Sequence, residues 1–165
     1  MTPGARHQHA KRPAVAAKTV CRIRALTLDA GLTKLFAALE RFAAAHRLPQ
    51  AVHDDVYVAL DEIVSNVIRY ARTPHGRPQI TVTMALARRV VEVTVVDDAT
   101  PFNPLARPDS RTDQALVDRP IGGLGILFVK RLMDEVTYSR RTGRNRLVLR
   151  KKIRNAPSPA ARRRT

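Results

Sequence analysis

Cysteine is nearly absent from the sequence, since Cys21 is the single one among 165 residues. A disulfide within the chain is therefore excluded, and the low cysteine usage fits a reducing compartment. The five histidines are scattered without the spacing of a metal site, so none is predicted to be a ligand. No apolar stretch approaches the roughly 20 residues that a membrane span needs, and the first residues lack the apolar core of a secretory signal. These absences predict a soluble, cytoplasmic protein.

Acidic residues are also scarce: the chain has 14 of them against 30 lysines and arginines, a net charge of +16. Half of this excess lies in residues 1–19 and 154–165, which carry four basic residues each and no acid. Both ends lack aromatic residues, and we expect them to be disordered basic tails. The charge favours non-specific binding of polyanions at low salt, although an arginine-rich genome explains it equally well. No helix-turn-helix, finger or zipper pattern indicates sequence-specific DNA binding.

Between the tails, residues 20–153 are long enough for one domain with a substantial core. Apolar residues alternate in five segments and recur at helical spacing in three. The predicted strands cover residues 21–28, 79–86, 90–97, 136–141 and 145–152, and the predicted helices cover residues 29–46, 50–73 and 123–133. Because strands and helices do not alternate singly, this order argues against a parallel Rossmann sheet. It predicts an α+β fold, a two-layer sandwich in which three helices cover one face of a mixed sheet.

The predicted central helix, residues 50–73, carries the first candidate site. Its apolar residues form one wide stripe. Off that stripe, Glu62 and Asn66 stand four residues apart, so their side chains project from the same helix face. A carboxylate beside a carboxamide can serve as a proton acceptor and a metal ligand. Taken alone, the segment favours the plainer interpretation of a solvated polar face.

Two further segments carry candidate chemistry. Gly122, Gly123 and Gly125 lie at the start of a predicted helix, where backbone N–H groups can bind phosphate. An ordinary helix entry turn is the alternative. Asp97 ends a hydrophobic strand and can accept a hydrogen bond from the amine of a purine, with a turn carboxylate as the alternative. The long loop of residues 100–120 has four prolines and is of a length typical of lids and binding loops.

Three motifs and a terminal hairpin carry a resemblance to a known family. They are LDEIVSNVIRYA (residues 60–71), VVDDATPFNP (95–104), PIGGLGILFVKRLMDEVTYSR (120–140) and GRNRLVLRK (143–151). In order and spacing they resemble the motifs of the GHKL ATPases, which are histidine-kinase-like and have the Bergerat fold. Within that superfamily the chain is most similar to the anti-sigma-factor serine/threonine kinases of the RsbW and SpoIIAB type. The likeness covers residues 20–153.

The resemblance implies roles for individual residues. Glu62 is expected to be the general base, and Asn66 is expected to ligate the Mg²⁺ that bridges the ATP phosphates. Asp97 is expected to bind the adenine amine, and residues 100–120 are expected to close as an ATP lid. The residues implied to contact ATP or its metal are Asn66, Asp97, Ala99, Phe102, Gly122, Gly123, Leu124 and Gly125.

The implied function is that of an ATP-binding anti-sigma factor and serine/threonine protein kinase. Its partners are expected to be a sigma factor and a STAS-type anti-anti-sigma protein that it phosphorylates, and homodimers are usual in the family. Ala99 departs from the family pattern, because it stands where the Asp-x-Gly motif has glycine. This departure favours an alternative, a non-catalytic partner-switching regulator with weak or lost ATP binding. A histidine-kinase catalytic domain detached from its sensor is a third interpretation, and residues 101–104 fit it less well.

Overall fold

The structure is a computed structural model, and it describes residues 18–23, 28–74, 76–106 and 124–154. The order of strands and helices along the chain is the predicted one. The elements are β1 (Lys18–Ile23), α1 (Leu28–His46), α2 (Gln50–Tyr70), β2 (Ile80–Ala87), β3 (Val90–Asp97), a short 3-10 turn (Pro104–Ala106), α3 (Leu124–Leu132), β4 (Glu135–Arg141) and β5 (Arg144–Lys152).

The five strands form one sheet in the order β1-β2-β3-β5-β4. The predicted α+β fold is confirmed, but the prediction of a mixed sheet is wrong, because every pair of neighbouring strands described is antiparallel. β3 and β4 do run in the same direction, and α3 lies between them in the chain. They are not neighbours, however, because β5 inserts between them and pairs antiparallel with both.

The core lies between one face of the sheet and the three helices. Alternate residues of β2 and β3 are buried on this face, beginning at Ile80 and Val91 respectively. All three helices contribute buried residues to the same cluster. Those with no exposed surface are Leu35, Leu39, Val56, Ala59, Leu60, Val64, Val82, Met84, Val91, Val93 and Leu149. Burial of each large apolar side chain stabilises the folded state by about 1.5–3 kcal/mol, so this cluster makes the main stabilising contribution to the fold.

Both hairpins turn over two residues rather than the three that the sequence suggests. The turn between β2 and β3 has Arg88 at φ 49° and Arg89 at φ 63°, and the turn between β4 and β5 has Thr142 at 47° and Gly143 at 74°. Positive φ at both central positions is typical of type I′ turns, whose twist matches that of the paired strands. Only Gly143 adopts this conformation without steric cost.

The element boundaries differ from the predicted ones mainly at the start of the domain. β1 begins at Lys18, before the predicted domain start at residue 20, and ends at Ile23. α1 begins at Leu28, one residue before the predicted start at residue 29. Residues 1–17 and 155–165, most of the predicted tails, lie outside the described residues, and their disorder stays a prediction. No helix in the described part of the chain is long and apolar enough to cross a membrane.

A polar cluster joins the exposed sides of α1 and α2. His53 Nε2 lies 2.8 Å from Glu40 Oε1, and His53 Nδ1 lies 3.0 Å from Asp54 Oδ1. The bond to Asp54 is the largest cause of a raised pKa of His53, and the contact with Glu40 adds to it. The same bond to His53 lowers the pKa of Asp54. Beside this cluster, the rings of Phe36 and Tyr57 stack with centroids 4.0 Å apart.

The charged cluster predicts a pH dependence of stability. The folded protein holds the His53 proton more tightly than the unfolded chain does, so its contribution is complete below the ordinary value of 6.5 and disappears as pH rises through the folded pKa. We expect the urea midpoint of the wild type to fall between pH 6 and pH 8.5 by more than that of His53→Gln. Equal pH profiles for the two proteins would show that the cluster contributes nothing.

Candidate functional site

Glu62 and Asn66 lie one turn apart in the second half of α2. Asn66 Nδ2 donates a hydrogen bond of 2.5 Å to Glu62 Oε1. Both side chains are half-buried, so the structure places them together and partly removed from solvent, not on a fully solvated face. The amide nitrogen is engaged with the carboxylate, and the amide oxygen of Asn66 is the atom that can ligate a metal.

The first turn of α3 packs directly against this pair. A Cβ atom built on Gly125 would overlap the carboxylate carbon and oxygens of Glu62. A side chain at this position would therefore displace the Glu62 carboxylate. This contact sets the Glu62 carboxylate beside the N-terminal turn of α3, where backbone N–H groups lack helical partners and the helix dipole favours anions.

Asp97 ends β3 and is buried, with 7% exposure. Its Oδ1 accepts hydrogen bonds from the backbone N–H of Ala99 at 3.0 Å and from Asn145 Nδ2 at 2.8 Å. Burial raises the pKa of the Asp97 carboxyl, and these two hydrogen bonds oppose the rise. Both bonds converge on one oxygen, and no donor among the described residues binds Oδ2, which can therefore accept a hydrogen bond from a ligand. Asp98 instead accepts the backbone N–H of Gln79 at 2.7 Å.

Asn145 on β5 holds both Asp97 and the loop that follows it, and it is 6% exposed. Its amide makes five hydrogen bonds: Nδ2 donates to Asp97 Oδ1 (2.8 Å) and Thr100 O (3.0 Å), and Oδ1 accepts from Arg140 Nη1 (2.7 Å), Tyr138 Oη (2.8 Å) and Phe102 N (3.4 Å). Each donor and acceptor of this buried amide is thus satisfied. Three segments of the chain meet at one side chain.

The structure shows how Ala99 is accommodated where the resembling family has glycine. In the described ranges, only four residues other than glycine have a positive φ, and Ala99 is not one of them. The backbone conformation at position 99 therefore does not require glycine. Ala99 is 2% exposed, which places its methyl group inside the protein and not on an open surface. Phe102, in contrast, is 54% exposed, while its backbone N–H donates to Asn145.

A backbone hydrogen bond links the segments that carry the two parts of the site. The backbone N–H of Thr100, in the loop after β3, donates to Arg72 O, just beyond the end of α2, at 3.1 Å. From Glu62 to the end of α2 at Tyr70 the helix rises about 12 Å. The Glu62–Asn66 pair and the buried Asp97 are therefore connected through α2 and this backbone bond.

Part of the predicted site lies outside the described residues. This part consists of Gly122 and Gly123, together with residues 107–120 of the predicted lid. Leu124 is the first residue of α3. A phosphate role for these four glycine-loop positions, Gly125 included, therefore stays a prediction, and the observed role of Gly125 is its close approach to Glu62.

The oxygen atoms of Glu62 and Asn66 suit Mg²⁺, which binds few protein side chains, better than they suit a metal ion that is coordinated by side chains alone. Within the described ranges, no group of three or more His, Cys, Asp or Glu residues could hold a metal. Mg²⁺ usually keeps several waters and binds through one or two side chains together with substrate phosphates. Asn66 and Glu62 present an amide oxygen and carboxylate oxygens at one point, which fits that kind of site.

Comparison with known proteins identifies the family. The sequence profile of the histidine kinase-like ATPase domain matches residues 26–151, well over half of the chain. The chain belongs to this family. The predicted resemblance to the GHKL ATPases is thereby confirmed, and the Glu62–Asn66 pair, Asp97 and α3 all lie within the matched part of this histidine kinase-like ATPase domain.

Two relatives of this histidine kinase-like ATPase domain agree with the resemblance to the anti-sigma kinases. The serine/threonine-protein kinase BtrW of Bordetella bronchiseptica is 27% identical over 111 residues, which cover 67% of this chain and 78% of the relative. The crystal structure of the RsbU and RsbW domains of Rv1364c from Mycobacterium tuberculosis superposes with a TM-score of 0.55 and 21% identity. The match covers 84% of this chain and 34% of that one, so the chain spans about a third of its length, and the likeness shows the shared fold.

Sequence reasoning missed Asn145, Arg140 and Tyr138, which surround Asp97 in the sheet. One signal was available: asparagine is depleted in strands, and Asn145 begins a segment that otherwise reads as a strand. An asparagine at such a position indicates a buried partner or a bulge. The partner itself depends on which strands are neighbours, and the sequence pattern does not specify that.

The hydrogen bonds of Asn145 predict a large effect on stability. Asn145→Ala leaves the donors of Arg140 and Tyr138 and the carboxylate of Asp97 without their buried partner, so we expect a loss of roughly 2–4 kcal/mol in the free energy of unfolding. Urea denaturation measures it. Arg144→Ala, at the exposed neighbouring position, is the control and should change stability by less than about 0.5 kcal/mol. Similar losses for both variants would contradict the role of Asn145.

Proposed function

We propose that the protein is an ATP-binding anti-sigma factor and serine/threonine protein kinase that phosphorylates a STAS-type anti-anti-sigma protein. The observation that carries the proposal is the Glu62–Asn66 pair held against the first turn of α3 by Gly125. A carboxylate and an amide oxygen lie together beside a helix N-terminus, which is an arrangement suited to a base, a metal and phosphates.

In the proposed reaction, Glu62 accepts the proton of a serine or threonine hydroxyl on the partner protein. The hydroxyl oxygen forms a bond to the γ-phosphorus as the bond from that phosphorus to ADP breaks. Asn66 holds the metal ion through its amide oxygen. Bound Mg-ATP supplies the phosphoryl group and the positive charge that offsets the charge developing on it. Glu62 needs no large movement, because Asn66 and Gly125 already fix its position.

The buried Asp97 is the proposed binding site for the adenine base of ATP. Its Oδ2 accepts a hydrogen bond from the adenine amine, while Oδ1 remains bound to Ala99 and Asn145. The rise of about 12 Å along α2 between Glu62 and the helix end beside Thr100 suits an extended nucleotide with its phosphates near Glu62 and its base near Asp97. The loop that begins at Thr100 is the proposed lid.

The proposed partners follow from the resemblance to the anti-sigma kinases. They are a sigma factor, which the protein sequesters, and a STAS-type protein, which displaces it and is phosphorylated. We further propose a cytoplasmic homodimer, as is usual for the resembling family. The basic tails at residues 1–19 and 154–165 add non-specific binding to polyanions at low salt.

The alternative is a non-catalytic partner-switching regulator that has weak or lost ATP binding, and it rests on Ala99. The burial of Ala99 and its ordinary backbone conformation speak against a methyl group that obstructs the site. The intact Glu62–Asn66 pair also favours the kinase. The two proposals predict different results for nucleotide titration.

Calorimetric titration of Mg-ATP separates them. We expect the wild type to bind, Ala99→Gly to bind within a fewfold of it, and Asn66→Ala to lose at least about tenfold in affinity in the presence of Mg²⁺, because a metal ligand is missing. Without Mg²⁺, wild type and Asn66→Ala should bind alike. If the wild type gives no heat and Ala99→Gly restores it, the non-catalytic alternative is correct. No heat from any variant overturns ATP binding altogether.

Phosphoryl transfer is tested with γ-labelled ATP and the purified STAS-domain proteins of the source organism. We expect the wild type to label one of them on serine or threonine, and Glu62→Gln to label none. Gly125→Ala should lose about 100-fold in rate, because the new methyl group displaces the Glu62 carboxylate. Its melting temperature should not fall, since alanine is the better helix former. A wild type that binds Mg-ATP but labels no STAS protein contradicts the kinase proposal.

A further inference from the structure

We propose that Arg140 is a positioning residue for base selectivity, acting on Asp97 through the amide of Asn145. The inference rests on the proposed ATP binding. It goes beyond that proposal, because Arg140 is not one of the predicted site residues. It concerns the choice between a purine that carries an amine and one that carries a carbonyl at the same ring position.

Arg140, Asn145 and Asp97 form a row across three neighbouring strands. Arg140 on β4 lies directly opposite Asn145 on β5, and Asn145 lies directly opposite Asp97 on β3. Residues paired in this way share one face of the sheet. The row is also bonded from end to end, with Arg140 Nη1 2.7 Å from Asn145 Oδ1 and Asn145 Nδ2 2.8 Å from Asp97 Oδ1.

The charges at the two ends of the row fix the orientation of the amide between them. An asparagine amide can turn over and exchange its oxygen for its NH₂ group. With a guanidinium on one side and a carboxylate on the other, only one orientation avoids placing a donor against a donor and an acceptor against an acceptor. The backbone N–H of Phe102, which can only donate, bonds the same oxygen and favours the same orientation.

This orientation determines what Asp97 can recognise. Because Asn145 must donate to Asp97, Oδ1 is occupied and the carboxylate stays an acceptor toward a ligand. Burial raises the pKa of Asp97, and the charge of Arg140 is among the influences that oppose the rise. An ionised Oδ2 accepts a hydrogen bond from a purine amine and repels a purine carbonyl.

Arg140 also holds the backbone beside Asp97. The same Nη1 atom donates to Ala99 O at 3.0 Å. Ala99 in turn donates its N–H to Asp97 Oδ1. Arg140 therefore fixes the two groups that bind Asp97, the Asn145 amide and the Ala99 peptide, without contacting the base itself. Loss of Arg140 should loosen both.

The test compares the binding of Mg-ATP and Mg-ITP, which differ in the amine and carbonyl of the base, to the full chain. We expect Arg140→Met to weaken ATP about tenfold while ITP changes little, so that the preference for ATP falls by the same factor. Arg140→Lys keeps a charged donor and should retain most of the preference. Arg141→Met is the matched control, because it removes the same charge from an exposed residue on the other face of the sheet.

Two results would overturn the proposal in this titration. Equal weakening of ATP and ITP by Arg140→Met would mean that Arg140 only stabilises the fold. An unchanged preference in both Arg140→Met and Arg140→Lys would mean that Asn145 and Asp97 are positioned without it. Should Arg140→Met fail to fold, Arg140→Gln, which removes the charge but keeps a polar side chain, replaces it: an unchanged preference relative to Arg141→Met overturns the proposal, and a loss of preference supports it.

A measurement on the nucleotide-free protein separates this inference from the proposed function. Hydrogen exchange of the Ala99 amide reports its bond to Asp97, and we expect Arg140→Met to speed it several-fold while Arg141→Met leaves it unchanged. If the wild type binds neither nucleotide, the proposed ATP binding fails and base selectivity fails with it. Faster exchange then still shows that Arg140 holds the loop, and unchanged exchange shows that it does not.

Discussion

The close approach of α3 to α2 at Gly125 is the constraint on which the site depends. Any side chain there would occupy the volume of the Glu62 carboxylate. The other end of the same helix pair is held by Lys151 from β5, whose Nζ donates to Leu132 O at 2.5 Å and pairs with Asp55 at 2.6 Å. Steric fit at one end and charge at the other thus fix how α2 and α3 lie together. The position of Glu62 beside the start of α3 follows from both.

The site combines one group from each layer of the fold. Glu62 and Asn66 come from the helix layer, and Asp97 comes from the sheet, where Asn145 and Arg140 hold it. The layers are joined at the site edge by the bond from the Thr100 backbone to Arg72. Each functional side chain is therefore oriented mainly by neighbours in its own layer of the fold, as a preorganised site requires. In the chain, residues 107–123 lie between Asp97 and the start of α3.

The sequence predicts the parts of the fold that local periodicity governs. α2 and β3 appear at the predicted positions because their apolar stripes are long and regular. The antiparallel sheet was not predicted, because the insertion of β5 between β3 and β4 is a long-range choice. For the same reason the pairing of Glu62 with Asn66 is visible in the spacing, whereas the row from Arg140 to Asp97 exists only once the strand order is set. The conflict between a side chain at position 125 and the Glu62 carboxylate likewise depends on a residue 63 positions away.

The turn between β2 and β3 binds the chain where it leaves the sheet after β5. Ile153 donates its N–H to Arg89 O at 2.7 Å, and Arg89 Nε donates to Ile153 O at 3.1 Å, so Ile153, directly after β5, is bonded to this turn through both its N–H and its carbonyl. β3 runs from this turn to Asp97, a rise of about 24 Å. A fluorophore attached at Arg154 is therefore held at the end of the sheet remote from Asp97. Such a label would report the unfolding of the sheet and would be insensitive to ligand binding at Asp97.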